Sequence, residues 1–248
     1  MKTIFGRIIL NKVCLIHHFA GIGDIFYLQA VAKKYISMGY QVIWPLRDDI
    51  LWIKDYIDGI NFCSINDNFP GKEYYGQDLI IISPQFVYLG IMRPHLWGIP
   101  QLGDTRLMAS KYSVLNMDHT KWAEGFTFKR NKEREDQLYY MVLGLKDDSE
   151  YVYVNDITNT DLKKTGSLGE KTYDYPTIQN QIIKGFTLFD WIKVWENAKE
   201  IHTQPTAMSF IFDVIDIDAK IFYYPQDDRH YKDLIDLFSN VTEWRKNA

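Results

Sequence analysis

One stretch near the start of the chain limits its fold more than any other. KVCLIHH (12–18) is short, apolar and followed by a glycine turn, which is typical of a buried strand. From Asp24 to Met38 apolar residues recur at helical spacing, with Gly39 where a helix C-cap is expected. QVIWPL (41–46) then predicts a second buried strand. A strand, a turn, a helix and a strand in this order predict a parallel sheet with crossover helices.

The rest of the first half continues this alternation. Ile50 to Ile57 predicts a short amphipathic helix, and DLIIIS (78–83) predicts a further strand of the same parallel sheet. Residues 83–129 have weaker periodicity and contain several Pro and Gly, which favours loops with one or two short helices. Residues 131–145 show the helical period again, with Gly144 near the end.

A second series of strands and helices begins after the polar stretch KDDS (146–149). The predicted strands are 150–155, 181–185, 199–203 and 219–225, and the predicted helices are 188–198, 206–215 and 230–239. The sequence therefore predicts an α/β protein with an N-terminal domain over 1–147 and a compact C-terminal domain over 148–248. Residues 156–175, rich in Thr, Asp, Lys and Gly, predict a solvent-facing loop or a lid.

Composition excludes several classes of function. The chain has 248 residues and a net charge of -4, which gives no reason to expect nucleic acid or an acidic membrane as a partner. Cys14 and Cys63 lie in apolar contexts and define no metal site and no disulfide framework, so we expect free thiols in a reducing compartment. No apolar run reaches the ~20 residues of a membrane helix. We therefore expect a cytoplasmic protein without a transmembrane segment, and the sequence leaves its oligomeric state open.

The glycine turn after the first strand has two interpretations. Gly21 and Gly23 match the start of a G-x-G-x-x-G dinucleotide fingerprint, but Phe26 stands at the third glycine position. In one interpretation the turn is only a tight connection, and Asp24 is favoured by the helix dipole. In the other, Asp24 lies at the carboxyl edge of a parallel sheet, where such folds bind ligands, and acts as a general base.

Two histidines end the same strand. Because successive side chains of a strand point to opposite faces, one of His17 and His18 is expected to face a crevice and the other to pack in the core. The sequence does not decide which histidine takes which place.

Two helix starts are marked in the second half. A T-x-x-D pair at Thr187 and Asp190 predicts a capping box, and Pro205 suits the first position of the later helix. The hydroxyls around that later start are those of Thr203, Thr206 and Ser209. Backbone N–H groups at a helix start attract anions, so these hydroxyls either cap the helix or form a phosphate or diphosphate site.

Two α/β halves, a G-x-G-D turn after the first strand and the run LFDWIKVWENAKEIHT (188–203) together resemble the GT-B glycosyltransferases, in particular the heptosyltransferase-like families. The resemblance covers most of the chain loosely and is most specific over 13–38 and 185–225. It implies two Rossmann-like domains that face each other across a crevice. It also implies an enzyme that moves a sugar from a nucleotide-diphosphate sugar to a hydroxyl of a glycan or another acceptor, with inversion and without a metal or other cofactor.

The resemblance also implies roles for particular residues. Asp24 matches the position of the family's catalytic base, and His18 is a second catalytic candidate. The acceptor-side loop would contain His17, Gly21 and Gly23. The implied donor-binding residues are Arg130, Asn155, Gly185, Phe186, Leu188, Phe189, His202, Thr203, Gln204, Thr206 and Ser209. Arg130 is the cation expected to meet the diphosphate, with Lys129 and Arg134 as alternatives.

Other interpretations stay open. The second half is short for a Rossmann-like domain, as if residues 156–175 replaced a strand and a helix. An NAD(P)-dependent enzyme would use Gly21 and Gly23, and a non-catalytic glycosyltransferase-like protein would bind a nucleotide or a protein partner without turnover. DID (216–218) precedes a predicted strand, which favours a solvated turn over a metal-bound diphosphate site.

Overall fold

Two five-stranded sheets, one from each half of the chain, form the framework of the molecule. The computed structural model describes residues 12–17, 21–99, 106–156, 168 and 171–245. The predicted fold class, α/β with two Rossmann-like halves, is confirmed.

The first sheet has strand order β3-β2-β1-β5-β4. Its strands are β1 (Lys12–His17), β2 (Tyr40–Leu46), β3 (Asn61–Ser64), β4 (Ile80–Ile82) and β5 (Phe86–Gly90). Helices α1 (Ile22–Tyr27) and α2 (Gln29–Ser37) connect β1 to β2, and a 3₁₀ helix over Asp48–Asp55 connects β2 to β3. The chain leaves α2 through Gly39 with φ +82°, as the sequence predicts.

One edge of this sheet differs from the prediction. The expected strand over 78–83 exists as β4, but it is antiparallel to β5, and β5 itself lies in the segment predicted to be loops. Ser83 explains the reversal, because its hydroxyl donates to the Phe86 carbonyl at 2.8 Å and accepts the Phe86 N–H at 3.0 Å. This tight turn returns the chain as a hairpin, and β5 then pairs in parallel with β1.

The segment of the chain that connects β5 of the first sheet to the second sheet forms short helices. They are α3 (Leu107–Ser113), α4 (Trp122–Gly125) and α5 (Lys132–Asp136), with α5 continuing as a π-helical turn over Gln137–Val142. Two shorter 3₁₀ turns cover Pro94–Leu96 and His119–Lys121. The helix predicted over 131–145 is confirmed, and Gly144 ends it with φ +66°.

The second sheet has order β10-β9-β8-β6-β7 and is parallel throughout. Its strands are β6 (Val152–Asn155), β7 (Thr177–Gln179), β8 (Glu200–Thr203), β9 (Lys220–Tyr223) and β10 (Glu243–Trp244). Its helices are a 3₁₀ turn over Leu188–Trp191 that continues as α6 (Ile192–Glu196), then α7 (Ala207–Phe212) and α8 (Asp228–Leu234).

Two expectations about the second half are wrong. The expectation that a strand is missing is wrong, since the described residues of this half already form a sheet of five parallel strands. The strand predicted over 181–185 is also wrong, because the chain turns through Gly185 at φ +89° and Ile182 is exposed. The strand in this part of the chain is β7, which ends before residue 181. Most of the predicted loop over 156–175 lies outside the described residues.

Each sheet has one face in a core that both halves share. On β1, Cys14 and Ile16 point into this shared core, and Leu15 points to the opposite face. On β6, Tyr153 points into it and Val154 points away. Helices of both halves fill the space between, so a single apolar core joins the two sheets.

Candidate active site

Asp24 follows the central strand of the first sheet, from which the connections of the chain lead to opposite sides. The chain leaves β1 toward β2 on one side and returns to β5 on the other, so the carboxyl end of β1 is a topological switch point. Open α/β sheets bind ligands at such points. Gly21 is the N-cap of α1 and accepts the Asp24 N–H at 3.1 Å, which places the carboxylate in the first helical turn.

The Asp24 carboxylate forms an ion pair with Lys111 of α3. The two side chains are 11% and 4% exposed, so the pair is almost fully withdrawn from water. Sequence reasoning missed Lys111, which lies 87 residues away in the chain. A signal was present, because Met108, Lys111, Tyr112 and Leu115 follow the i, i+3, i+4, i+7 spacing of one buried helix face.

Helix α3 contacts both halves of the molecule. On the side of the first half, the Tyr27 hydroxyl donates to the Met108 carbonyl at 3.0 Å, and the Tyr112 hydroxyl donates to the Tyr27 carbonyl. On the side of the second half, Asp233 of α8 accepts the Leu107 N–H at 3.0 Å. The helix that carries Lys111 is therefore fixed from two directions.

Charges of both signs act on His95, which precedes α3 in the chain. The pKa of His95 is lowered by burial first, and then by the positive charges of Arg229, Arg93 and Lys111, while the negative charge of Asp233 opposes this shift. Arg229 and Asp233 belong to α8, so charged side chains of the second half lie near His95.

Gly23 provides packing space between the two halves. A β-carbon at this position would lie 3.1 Å from Cε2 of Phe210 and 3.5 Å from Cα of Ala207, both in α7. At Gly21, in contrast, a β-carbon would meet no described atom within 4 Å. The close approach that Gly23 allows is thus made by helix α7.

At the carboxyl edge of the second sheet, polar side chains form a hydrogen-bonded chain. Asn155 Nδ2 donates to Thr203 Oγ1 at 2.9 Å, and Asn155 Oδ1 accepts from Asn180 Nδ2 at 2.9 Å. Tyr153 donates to the Asn180 amide oxygen at 2.9 Å. The edge lies between β6 and β8, which is the switch point of this sheet. Asn180 is a member of this network that sequence reasoning did not find.

One buried oxygen atom next to this network has no partner among the described residues. Gln204 is 1% exposed, and its Oε1 has no hydrogen bond to any described residue. Thr206 and Ser209 form a capping box at the start of α7, in which Ser209 Oγ accepts the Thr206 N–H at 3.2 Å. Helix α7 begins at Ala207, so Pro205 precedes the N-cap and the expectation that it occupies the first helical position is wrong. Buried polar groups normally have partners, and the Gln204 oxygen marks a place for a ligand or a water.

The donor residues expected near 185–189 lie in and around the shared core. The capping box of Thr187 and Asp190 and the helix start at Leu188 are confirmed, with Leu188 packed against the core. Phe189 is 1% exposed and stacks on Tyr56 with ring centroids 4.7 Å apart. A ring buried in this way serves packing and is not available for a nucleoside.

Gly185 and Phe186, two of the expected donor-binding residues, contact Arg134 of α5. Its guanidinium donates to the Gly185 carbonyl, lies 5.1 Å from the centre of the Phe186 ring, and forms an ion pair with buried Asp190 at 2.8 Å. These contacts hold α5 against the second half.

Arg130, the expected diphosphate cation, is already paired. Its Nε donates to Glu135 Oε1 at 2.9 Å and its Nη2 donates to Glu196 Oε2 at 2.8 Å. Two carboxylates thus match its single charge, which speaks against a diphosphate role. The alternative cation Lys129 pairs with Asp58 at 2.7 Å on the surface.

His17 and His202 lie on the sheet faces that point away from the shared core. His17 lies 4.2 Å from the Tyr75 ring centroid, and burial lowers its pKa to about 4 despite the opposing charge of Asp78. His202 lies between Tyr224, whose hydroxyl is 2.9 Å from Nδ1, and Glu200, 3.0 Å from Nε2. Neither imidazole points at the edge where Asn155 and Thr203 lie, and His18 is outside the described residues.

The fold and site define an α/β protein with two Rossmann-like halves and a buried acid–lysine pair where they meet. No family model and no curated protein sequence matches the chain. Among solved structures it is similar to a family 9 glycosyl transferase from Veillonella parvula DSM 2008, with TM-score 0.49 and 9% identity, over 87% of this chain and 81% of that one. It is also similar to TibC, an iron-containing dodecameric glycosyltransferase from enterotoxigenic E. coli H10407. That likeness has TM-score 0.46 and 14% identity, over 96% of this chain and 63% of TibC.

At these TM-scores and identities the likenesses carry no argument about function, which has to come from the site. Within the described ranges, no helix has the length and apolar character needed to cross a lipid bilayer.

Proposed function

We propose that the protein is a glycosyltransferase that moves a sugar from a nucleotide-diphosphate sugar to an acceptor hydroxyl, with Asp24 as the general base. The observation that carries this proposal is the place of the buried Asp24–Lys111 pair. It lies at the switch point of the first sheet, and Gly23, the residue before Asp24, packs directly on α7 of the second half.

The acceptor would bind on the side of the first half. A hydroxyl within hydrogen-bond reach of Asp24 would lose its proton to the carboxylate as its oxygen attacked the anomeric carbon of the donor sugar. The bond from that carbon to the diphosphate would break with inversion, and the diphosphate would leave with both electrons of the bond. His18 stays a further catalytic candidate.

The donor would bind at the carboxyl edge of the second sheet. Asn155 and Thr203 line this edge, and Gln204 follows it, with an Oε1 that has no partner among the described residues. Positive charge for the leaving diphosphate would come from Arg229 of α8, which acts on His95, and not from Arg130, which pairs with Glu135 and Glu196. In this proposal the reaction uses no metal and the enzyme is cytoplasmic.

The alternative of an NAD(P)-dependent enzyme has less support. A pyrophosphate on the G-x-G turn would need the space beside Gly23 that Phe210 fills. A non-catalytic nucleotide-binding protein remains the second candidate, since the polar edge of the second sheet would serve binding alone equally well.

The test begins with thermal unfolding in the presence of nucleoside diphosphates, their sugar conjugates, NAD and NADP. A ligand at about a hundred times its dissociation constant should raise the midpoint by roughly 5–10 °C. With the sugar nucleotide that binds, Asp24→Asn should lower turnover by about 100-fold or more while donor affinity changes little.

Asp49→Asn is the control, because Asp49 is an exposed acid that pairs with Arg47. A shift with NAD(P) alone would refute the proposal. Binding of a sugar nucleotide without turnover would support the non-catalytic candidate.

A further inference from the structure

The Asp24–Lys111 pair has an unusual environment for two charges. The ammonium side chain is 4% exposed and the carboxylate side chain 11%, and the Lys111 Nζ also lies 3.8 Å from the Met108 sulfur. Removing the Asp24 charge takes the ion-pair partner away from the buried Lys111 ammonium, and removing the Lys111 charge takes a cation away from the buried carboxylate. The two side chains therefore depend on each other for their positions.

Lys111 has little freedom to move away from Asp24. Its helix is tied to α1 by the Tyr27 hydroxyl on the Met108 carbonyl, at 3.0 Å, and to α8 by Asp233 on the Leu107 N–H, also at 3.0 Å. Arg106, just before the helix, pairs at 2.5 Å with Asp236, which follows α8 in the chain. A side chain that is supported in this way orients its neighbour with little loss of entropy on binding.

We infer that Lys111 is a positioning residue for Asp24, which holds the carboxylate in the orientation that an acceptor hydroxyl requires. This inference rests on the proposed function. Lys111 takes no proton and contacts no substrate in this role; it acts through the carboxylate.

The first measurement is a double-mutant cycle followed by thermal unfolding, here called the thermal cycle. It compares the wild type, Asp24→Asn, Lys111→Met and the double variant. Each single variant should lower the unfolding midpoint by roughly 5–15 °C, because each removes the ion-pair partner of a buried charge. The unfolding midpoint of the double variant should lie below that of the wild type by at most half the sum of the two single losses. Losses that simply add would overturn the pairing.

The second measurement is steady-state kinetics with the sugar nucleotide found by thermal unfolding. Lys111→Met should lower kcat by about 100-fold and leave the donor KM within about threefold, since the donor does not contact Lys111. Lys111→Arg keeps the charge and should recover at least tenfold of the lost kcat. The control is Lys34→Met, which removes another partly buried lysine, one that donates to the Leu115 carbonyl at 3.1 Å.

The outcomes separate the two proposals. A wild type without turnover on any sugar nucleotide refutes the proposed function, whatever the thermal cycle shows. A wild type with turnover that Lys111→Met leaves unchanged refutes the positioning role alone. Equal loss in Lys111→Met and Lys34→Met would also refute it, because a general loss of packing would then explain the effect.

Discussion

At the residue scale, Gly21 and Gly23 show how one short motif serves two purposes. Gly21 has an extended backbone, with φ -83°, and no described atom lies near the position of a β-carbon. Gly23 lies against the Phe210 ring and the start of α7. Only the second glycine is therefore required by packing, and what requires it is a residue of the other half.

Substitution of these two glycines should give opposite results. Gly23→Ala puts a methyl group 3.1 Å from the Phe210 ring and should lower the free energy of unfolding by about 1–3 kcal/mol. Gly21→Ala should be neutral or raise it by about 0.5 kcal/mol, because alanine fits the same backbone and has less freedom when unfolded. Urea unfolding of both variants checks this, and equal losses would refute the packing role of Gly23.

His17 should make stability depend on pH. Burial lowers its pKa to about 4 in the folded protein, below the ordinary value of 6.5, so the unfolded chain binds the proton more tightly. The contribution of the neutral imidazole to the free energy of unfolding is complete above about pH 6.5 and is lost as the pH falls toward 4. By pH 5 the loss is about 2 kcal/mol.

Urea unfolding at pH 7.5 and pH 5 measures this loss, and His17→Gln should reduce the difference between the two pH values by about that amount. An unchanged difference would mean that the imidazole is not buried as described. His202 also has a pKa lowered by burial, so the variant should keep part of the pH dependence.

At the element scale, α5 joins the two halves through ion pairs. Arg130 and Arg134 connect it to Glu196 and Asp190 of the second half, and Glu135 of α5 itself completes the cluster. The sequence shows the charges and the helix but not their partners, because Glu196 lies 66 residues from Arg130. This is why a structural arginine resembled a phosphate ligand.

Arg130→Met should therefore affect stability and not ligand binding. Glu135, whose side chain is 2% exposed, would lose its partner, and the free energy of unfolding should fall by about 3 kcal/mol. The affinity for a nucleoside diphosphate should not change. The control Arg47→Met breaks an exposed pair, 61% accessible on each side, and should change stability by less than about 0.5 kcal/mol. A large loss of nucleotide affinity in Arg130→Met would restore the diphosphate role.

At the scale of the whole molecule, the two sheets share one apolar core. Phe210 of the second half lies 4.9 Å from the Trp122 ring and close to Tyr27 of α1, and Phe189 stacks between Tyr56 and Phe128. This core extends across the predicted domain boundary at 147/148, because residues of both halves contribute to it.

Because of this core, the protein should unfold as one cooperative unit. Urea unfolding followed by tryptophan fluorescence and by far-UV circular dichroism should give coincident transitions. A fragment of residues 1–147 should not fold stably, because it would expose its share of the core. Two separated transitions, or a folded fragment, would show that the halves are independent.

The sequence alone determined what depends on neighbours in the chain. Most helical and strand periods, the capping box at Thr187 and the left-handed Gly39 follow from contacts within a few residues, and the structure confirms them. The hairpin that makes β4 antiparallel arises from the local turn at Ser83, yet weak periodicity concealed it.

Only the tertiary structure decided which distant groups meet. It paired Asp24 with Lys111, placed Phe210 against Gly23 and matched Arg130 with Glu196. Burial and charge compensation select these partners from positions tens of residues apart, and no period along a single chain encodes them.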